Sequence, residues 1–285
     1  MSRRGGQHGV PGMSSAGREI YSRGCGFPRW REIRGENAPG LLLVCNAGEE
    51  GLGNLKGVHK ICEDYGDRME RFCTFDSSLS SIVDRAVGSK RFRVRVRTRG
   101  GHSYNNFGND NAIACLASLV GELYGIRVPE GGKTTYNVGM ISGGTSVNTI
   151  AQEAEMLYEF RSDRRENLEY MERQFMKVID RGKSEGMDVS LEIIGVRPCE
   201  GPVDPKRKQA LSDWAHRVVE EMTGQAPKHC AGSTDCNIPL SLGIPSVCVG
   251  SFRGAGAHTR EEYVETDSLE EGYKVAFGMI FGSRD

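Results

Sequence analysis

No run of apolar residues in this sequence approaches the length needed to cross a bilayer, and its N-terminus lacks the hydrophobic core of a signal peptide. Strong charge of one sign is missing as well. A formal net charge of −1 over 285 residues sets up no global field to attract nucleic acid or an anionic membrane. The nine cysteines show no zinc-finger spacing, and their odd number argues against a closed disulfide framework. Cys45, Cys73, Cys115 and Cys248 lie inside apolar stretches and read as buried thiols in a reducing cytosol. The expectation is a soluble cytoplasmic protein, large enough for two domains or one large one with a real core.

Regular patterning is also missing from residues 1–40. They are rich in Gly and Arg (Arg3, Arg4, Gly5, Gly6, then Arg18, Arg23, Arg29, Arg31, Arg34) and carry no helical or strand period. Such a segment buries too little apolar surface to offset the entropy of ordering it. It reads as a flexible basic arm or, with equal weight, as a damaged or mis-started N-terminus.

From Leu41 the chain alternates between strand and helix patterns. A buried strand is expected over 41–46, a helix over 54–65 and a strand over 71–75. In 91–99, Phe92, Val94 and Val96 alternate with Arg93, Arg95, Arg97 and Arg99, which predicts a sheet strand with one wet face. An aromatic-poor arginine row of this kind is a solvated face and no platform for single-stranded nucleic acid. A helix over 111–124, strands over 134–141 and 155–160, a helix over 168–183 and a strand over 189–194 follow. Strand-helix-strand-strand-helix-strand is the order of a split βαβ, ferredoxin-like module spanning about 88–196. After Pro198 the pattern resumes with a helix over 208–223, a strand over 246–249 and a helix over 268–281. A compact module thus interrupts a larger α/β domain.

Chemistry is expected at Glu49 and Glu50, which follow the apolar run Leu41–Cys45 and precede Gly51-Leu52-Gly53. Adjacent carboxylates disfavour each other's ionisation, and a cation relieves that cost. A solvated loop is the plain alternative. Asp76 ends the next strand, at the side of an open α/β sheet where ligands gather. His258 sits in Gly254-Ala255-Gly256-Ala257-His258-Thr259, a small-residue loop that allows close backbone approach, although a lone surface histidine has the same look. Glu, Asp and His together suit zinc.

Glu49-Glu50-Gly51, Phe75-Asp76, Gly100-Gly101-His102-Ser103, Gly143-Gly144-Thr145-Ser146-Val147-Asn148, Arg161-Ser162-Asp163, Ser233-Thr234-Asp235 and Gly256-Ala257-His258-Thr259 stand in one order along the chain. Together they resemble the M20 family of di-zinc peptidases and amidohydrolases, over about residue 40 to the end. The resemblance implies a zinc-exopeptidase-like catalytic α/β domain with an inserted ferredoxin-like lid and dimerisation domain. Residues 41–87 and 197–285 would form the catalytic domain, 88–196 the lid, through which a homodimer would assemble. It implies amide-bond hydrolysis of a small peptide or an N-acyl amino acid. Glu49 would be the general base; Glu50 and His258 would hold one zinc and Asp76 the other. His102 would reach the oxyanion, often from the partner protomer; Asn148 would touch substrate, Arg161 would grip a substrate carboxylate, and Gly232 would line the pocket. Plainer readings stand beside these: His102 capping the Gly-Gly turn, Asn148 making an Asx bond, Arg161 pairing with Asp163.

One part of the family pattern is absent. Members carry a His-x-Asp strand motif upstream and a metal-bridging Asp after a Gly-Pro-Gly-like turn. Here Gly9-Val10-Pro11-Gly12 is followed by Met13-Ser14-Ser15, and His8 is too close to that turn to serve. The expectation is therefore an N-terminally incomplete relative holding two zinc ions, one or none, with Co2+ or Mn2+ as substitutes. A sheet without its first strands would expose apolar surface and unpaired edges. Activity would be weak or lost, and the alternative is a dimeric, non-catalytic binding module.

Overall fold

The computed structural model describes residues 40–257 and 259–282; the Gly/Arg-rich opening and His258 lie outside the described residues. The chain enters through an irregular segment and a short turn at Gly51–Gly53, then forms helix Lys56–Tyr65 (α1). Strands Phe72–Phe75 (β1) and Ser81–Ala86 (β2) lead into the long strand Gly88–Arg97 (β3) and the two-residue Gly101–His102 (β4). Helix Ala112–Tyr124 (α2) begins one residue later than expected, because Asn111 caps it by accepting bonds from the amides of Ile113 and Ala114. Strands Thr134–Gly143 (β5), Thr149–Ile150 (β6) and Glu153–Ser162 (β7), helix Arg165–Ser184 (α3) and strand Asp188–Arg197 (β8) complete the inserted unit. Helix Pro205–Thr223 (α4) starts with Asp204 as its cap and Pro205 in its first turn. Strand Lys228–Gly232 (β9), helix Asn237–Ser241 (α5), strand Ser246–Val249 (β10), the hairpin Arg253–Ala255 (β11) with Tyr263–Glu265 (β12), and helix Ser268–Phe281 (α6) follow.

Two four-stranded sheets organise these elements. The lid sheet runs β5-β7-β3-β8 with every neighbour antiparallel, the ferredoxin-like order that the chain pattern predicts. One face packs α2 and α3 over Phe92, Val94, Val96, Met156, Tyr158 and Phe160. On the other face the arginines of β3 form a ladder of ion pairs with Glu153, Glu155, Glu159 and Glu192. That ladder is why four arginines in alternation suit a half-wet strand. The body sheet runs β1-β10-β2-β9, with β10 and β2 antiparallel and the outer pairs parallel. Helices α4 and α6 cover one face over Ile82, Val247 and Val249, and α5 with Val203 covers the other over Val83 and Cys248.

The body departs from expectation at its start. Residues 41–46 form no strand; Leu42, Val44 and Cys45 are exposed. A parallel strand is held only by a ladder to a neighbour, and among the described residues β1 pairs with β10 alone. Of the four cysteines expected to be buried, only Cys248 is; Cys73 and Cys115 are half-buried. No helix among the described residues is long and apolar enough to cross a membrane.

Both crossings between body and lid are stapled by one side chain. Asn237, fully buried, donates from Nδ2 to the carbonyls of Val87 at 2.9 Å and Pro198 at 2.9 Å, while its Oδ1 accepts from the Thr234 amide. The crossings run so close that a Cβ on Gly88 would stand 2.5 Å from Cys199 Sγ.

Candidate active site

Glu49 and Glu50 sit on a backbone held in an unusual shape. Gly48 and Gly51 have positive φ, and so do Asn54 (53°) and Leu55 (63°), which are not glycine. Left-handed conformation costs a residue with a Cβ about 1 kcal/mol or more, so the surroundings must hold it. They do: Leu55 is fully buried against Val58 and Ile238, and Asn54 Oδ1 accepts from the Val196 amide of β8 at 3.0 Å. Asn46 lies over α1, where a Cβ on Gly57 would meet its Oδ1 at 1.7 Å.

The best-formed contact at this corner is Arg197, the last residue of β8. Its side chain is 6% exposed, and its Nη1 donates to Glu49 Oε1 at 2.9 Å and to Ser233 Oγ at 3.1 Å. Its Nη2 donates to the Glu49 carbonyl at 2.5 Å. One guanidinium thus ties the end of the lid to both body segments. Opposite, Asn46 Nδ2 donates to Asp235 Oδ2 at 2.5 Å. The Oδ1 atoms of Asn46 and Asp235 are both buried without a donor.

Glu49, Glu50, Asp76 and Asp235 share one electrostatic neighbourhood at the carboxyl ends of the body strands. Burial pushes the Glu49 carboxyl above its ordinary range; Arg197 opposes this, and the charges of Glu50, Asp76 and Asp235 add to it. Asp235 is likewise raised by burial, with its bond from Asn46 acting against the shift and Asp76 with it. Burial pushes the nearby Cys62 thiol up to about 11 and that of Cys248 up to about 12, which disfavours the thiolate form at both. What this arrangement supplies is a half-buried carboxyl raised by burial and oriented by an arginine, the features a proton-accepting group needs.

The expected metal ligands are placed only in part. Glu50 and Asp76 are exposed beside Glu49, and His258 lies outside the described residues. Among the described residues no three His, Cys, Asp or Glu side chains stand together so that they could hold an ion. A catalytic zinc takes three protein ligands, so the described set does not make up a metal centre.

The lid residues lie elsewhere. His102 and Asn148 meet on the small β4–β6 sheet, where His102 pairs with Thr149 and the Asn148 carbonyl accepts from the Ser103 amide at 3.0 Å. His102 Nδ1 accepts from the amides of Tyr104 and Asn105. Asn148 Oδ1 accepts from Ser146 Oγ at 2.5 Å. Among the described residues no hydrogen bond or ion pair joins this tip to Glu49. Arg161 forks onto Glu159, with Nε at 2.9 Å and Nη2 at 3.1 Å. Its partner is therefore not Asp163, which instead accepts from the Lys133 amide; side chains two apart on a strand share a face. Gly232 ends β9 beside Ser233, and a Cβ there would press on Val83 at 2.9 Å. Arg197, Ser233 and Asn46 belong to no residue pattern that marks them as functional by themselves. Only Ser233-Thr234-Asp235 gives a signal, as part of a motif.

The fold and the site define an α/β body carrying a ferredoxin-like insert, with a carboxylate cluster where the two join. Residues 86–187 match the family model of the peptidase dimerisation domain, M20_dimer, and this chain carries an M20 peptidase dimerisation domain. It is 31% identical to a homolog of a p-aminobenzoyl-glutamate hydrolase component in Haemophilus influenzae, across 90% of this chain and 64% of that protein. It is 25% identical to a succinyl-diaminopimelate desuccinylase of Nitrosospira multiformis, across 81% of this chain and 63% of that protein. The chain therefore spans just under two thirds of the length of these curated relatives. In fold it is similar to the aminopeptidase PepT of Bacillus cereus, with a TM-score of 0.63 at 21% identity over 83% of this chain and 62% of that one. A tripeptidase of Staphylococcus aureus gives 0.64 at 20% identity, over 83% and 62%.

Proposed function

We propose that this protein hydrolyses an amide bond in a small peptide or an N-acyl amino acid, with Glu49 as the group that takes a proton from the attacking water. The observation that carries this reading is the Glu49 carboxyl itself: half-buried, raised by burial and neighbouring acids, and aimed by Arg197. The water loses a proton to Glu49 as its oxygen bonds to the carbonyl carbon. The C–N bond then breaks, and the proton passes to the departing nitrogen. The names of two relatives, a homolog of a p-aminobenzoyl-glutamate hydrolase component and a succinyl-diaminopimelate desuccinylase, support a hydrolytic reading.

Metal dependence, typically on zinc, belongs to the family, and Glu50, Asp76 and His258 are our candidate ligands. Arg161 would meet a substrate carboxylate after release from Glu159, His102 and Asn148 would act from the lid, and Gly232 would line the pocket. A homodimer through the lid and a cytoplasmic location complete the proposal.

The test is a panel of dipeptides, tripeptides and N-acyl amino acids assayed with added zinc, cobalt or manganese. Glu49→Gln is expected to lower turnover by about 10²–10⁴-fold, the usual worth of a general base. No turnover of any member by the unaltered chain would overturn the reading.

A second reading, a non-catalytic binding module, is favoured by the closed pairs Arg197–Glu49 and Arg161–Glu159. It predicts that Glu49→Gln leaves binding of carboxylated ligands unchanged while neither form turns over.

A further inference from the structure

A second group of titratable side chains lies apart from Glu49, where α4 crosses β2 and β9. On α4 the spacing of Ser212, His216 and Glu220 puts all three in one row. On the sheet, His229 of β9 is in register with Ile82, whose side chain packs under α4, so His229 faces the same helix. Asp84 is the residue skipped in the β2–β9 register between Val83 and Arg85, the kind of bulge that re-aims a side chain.

These residues form one chain of contacts. Asp84 Oδ2 accepts from Ser212 Oγ at 2.8 Å and lies 2.7 Å from His229 Nδ1. His229 Nε2 lies 2.9 Å from His216 Nδ1, with the two ring planes within 6° of parallel. The far nitrogen of His216, Nε2, stands 3.8 Å from Glu220 Oε2, and Arg85 Nε stands 3.8 Å from the other Asp84 oxygen. A carboxylate on Nδ1 requires a proton there, so neutral His229 offers a lone pair at Nε2. His216 must meet that lone pair with its own Nδ1–H, or give up that proton.

We propose that His216 and His229 form a two-imidazole site for a divalent transition ion of the zinc, copper or nickel class, with the ion replacing the proton between the rings. The outer nitrogen of His216 has Glu220 only at the longer 3.8 Å, whereas that of His229 meets Asp84 at 2.7 Å. The Asp84 contact is the outer arrangement which fixes the tautomer and raises the basicity of a metal-binding histidine. Imidazole suits this class of ion. Zinc–nitrogen bonds of about 2.0–2.1 Å in a tetrahedral site set the nitrogens about 3.3 Å apart, so the rings must part by about 0.4 Å and turn until both lone pairs meet at the ion. Both histidines are about one-third exposed, which leaves the remaining positions to water. Asp84 cannot be a third ligand while it holds the opposite side of the His229 ring, in keeping with the absence of any three-residue metal group among the described residues.

The test titrates Zn2+ alone into the full chain against a chromophoric chelator. One equivalent is expected to be lost in His216→Asn and in His229→Asn. The isosteric Asp84→Asn should weaken that equivalent about 10–100-fold. Equal stoichiometry and affinity in all four proteins would overturn the proposal. Should either histidine variant misfold, the imidazole 15N resonances of the unaltered chain decide the matter. Zn2+ must move His216 Nδ1 and His229 Nε2 together, and their failure to respond would sink the site.

Discussion

The lid and the body are built from the same kinds of residue and differ in how they hold together. The four strands of the lid sheet are each ten residues long and share one core, in which Phe92, Tyr158, Phe160 and Phe175 pack ring against ring. The strands of the body sheet run from four to six residues, and the buried side chains of the body fall into three smaller clusters. The lid's contacts join neighbours along one segment. The body's contacts join segments from before and after the lid, as Asn46 does with Asp235 and Arg197 with Glu49. A self-contained sheet therefore carries a body whose chemistry depends on distant pieces meeting.

The widest gap between the regions should open on cutting the lid core. Phe175 is fully buried and stacks on Tyr158 at 5.2 Å. Phe175→Ala is expected to cost about 3–5 kcal/mol, by lost burial and the cavity left behind. Hydrogen exchange should then show lid amides losing protection while those of β10 and α4 keep theirs. Loss of both together would show that the two regions unfold as one.

The staple between them comes next. Asn237→Leu removes two donors from half-buried carbonyls and the acceptor for the buried Thr234 amide. A cost on the order of 3 kcal/mol is expected, since a buried polar group left unpaired costs about 1–3 kcal/mol. Exchange should quicken at Val87 and Thr234 and stay slow in the middle of β3 and β7. Uniform quickening along β3 would show that the lid relies on its hinge for more than placement.

The same contrast governs what can be read from the chain alone. The lid is legible because its signals are local: Phe92, Val94 and Val96 alternate with arginines, and Asn111 precedes an apolar helical stripe. Strand β2 gives no such signal, because Ser81-Ile82-Val83-Asp84-Arg85-Ala86 buries two successive residues on opposite faces and then bulges at Asp84. Strand β9, Lys228-His229-Cys230-Ala231-Gly232, has the composition of a loop and becomes a strand by pairing with β2. Residues 41–46 show the reverse, an apolar run without a described neighbour to pair with. At the site, Glu49 and Glu50 stand out as a doublet. Arg197 does not, because its partner lies 148 residues away and nothing near it announces a buried guanidinium. What is local in the chain is readable, and what depends on segments meeting is not.

A smaller effect, confined to the body, follows from Asp235. Burial raises its carboxyl above the ordinary aspartate range, so the folded state holds that proton more tightly than the unfolded chain. Stability from this group is fully present below the unfolded value and is lost as pH rises through the folded one. Asp235→Asn should therefore stabilise at neutral pH and give no advantage in acid. Thermal melts of both proteins across the carboxylate range check this. An advantage that grows toward acid would reverse the sign and show Asp235 stabilised as the anion.

The smallest expected effect lies in the lid core. Tyr158 is 1% exposed, and its hydroxyl is buried with no hydrogen-bond partner. Tyr136, packed beside it, donates its hydroxyl to the Tyr124 carbonyl at 3.1 Å. Removing an unpaired buried hydroxyl relieves a desolvation cost, whereas removing a paired one forfeits about 0.5–1.5 kcal/mol and strands its acceptor. Tyr158→Phe should thus fall between no change and a gain of about 1 kcal/mol, while Tyr136→Phe loses about that much. Denaturant melts of the pair measure both against the same core. If Tyr158→Phe were the more damaging of the two, an ordered water would have to satisfy that hydroxyl, and the lid core would not be the dry, purely apolar contact that sets it apart from the body.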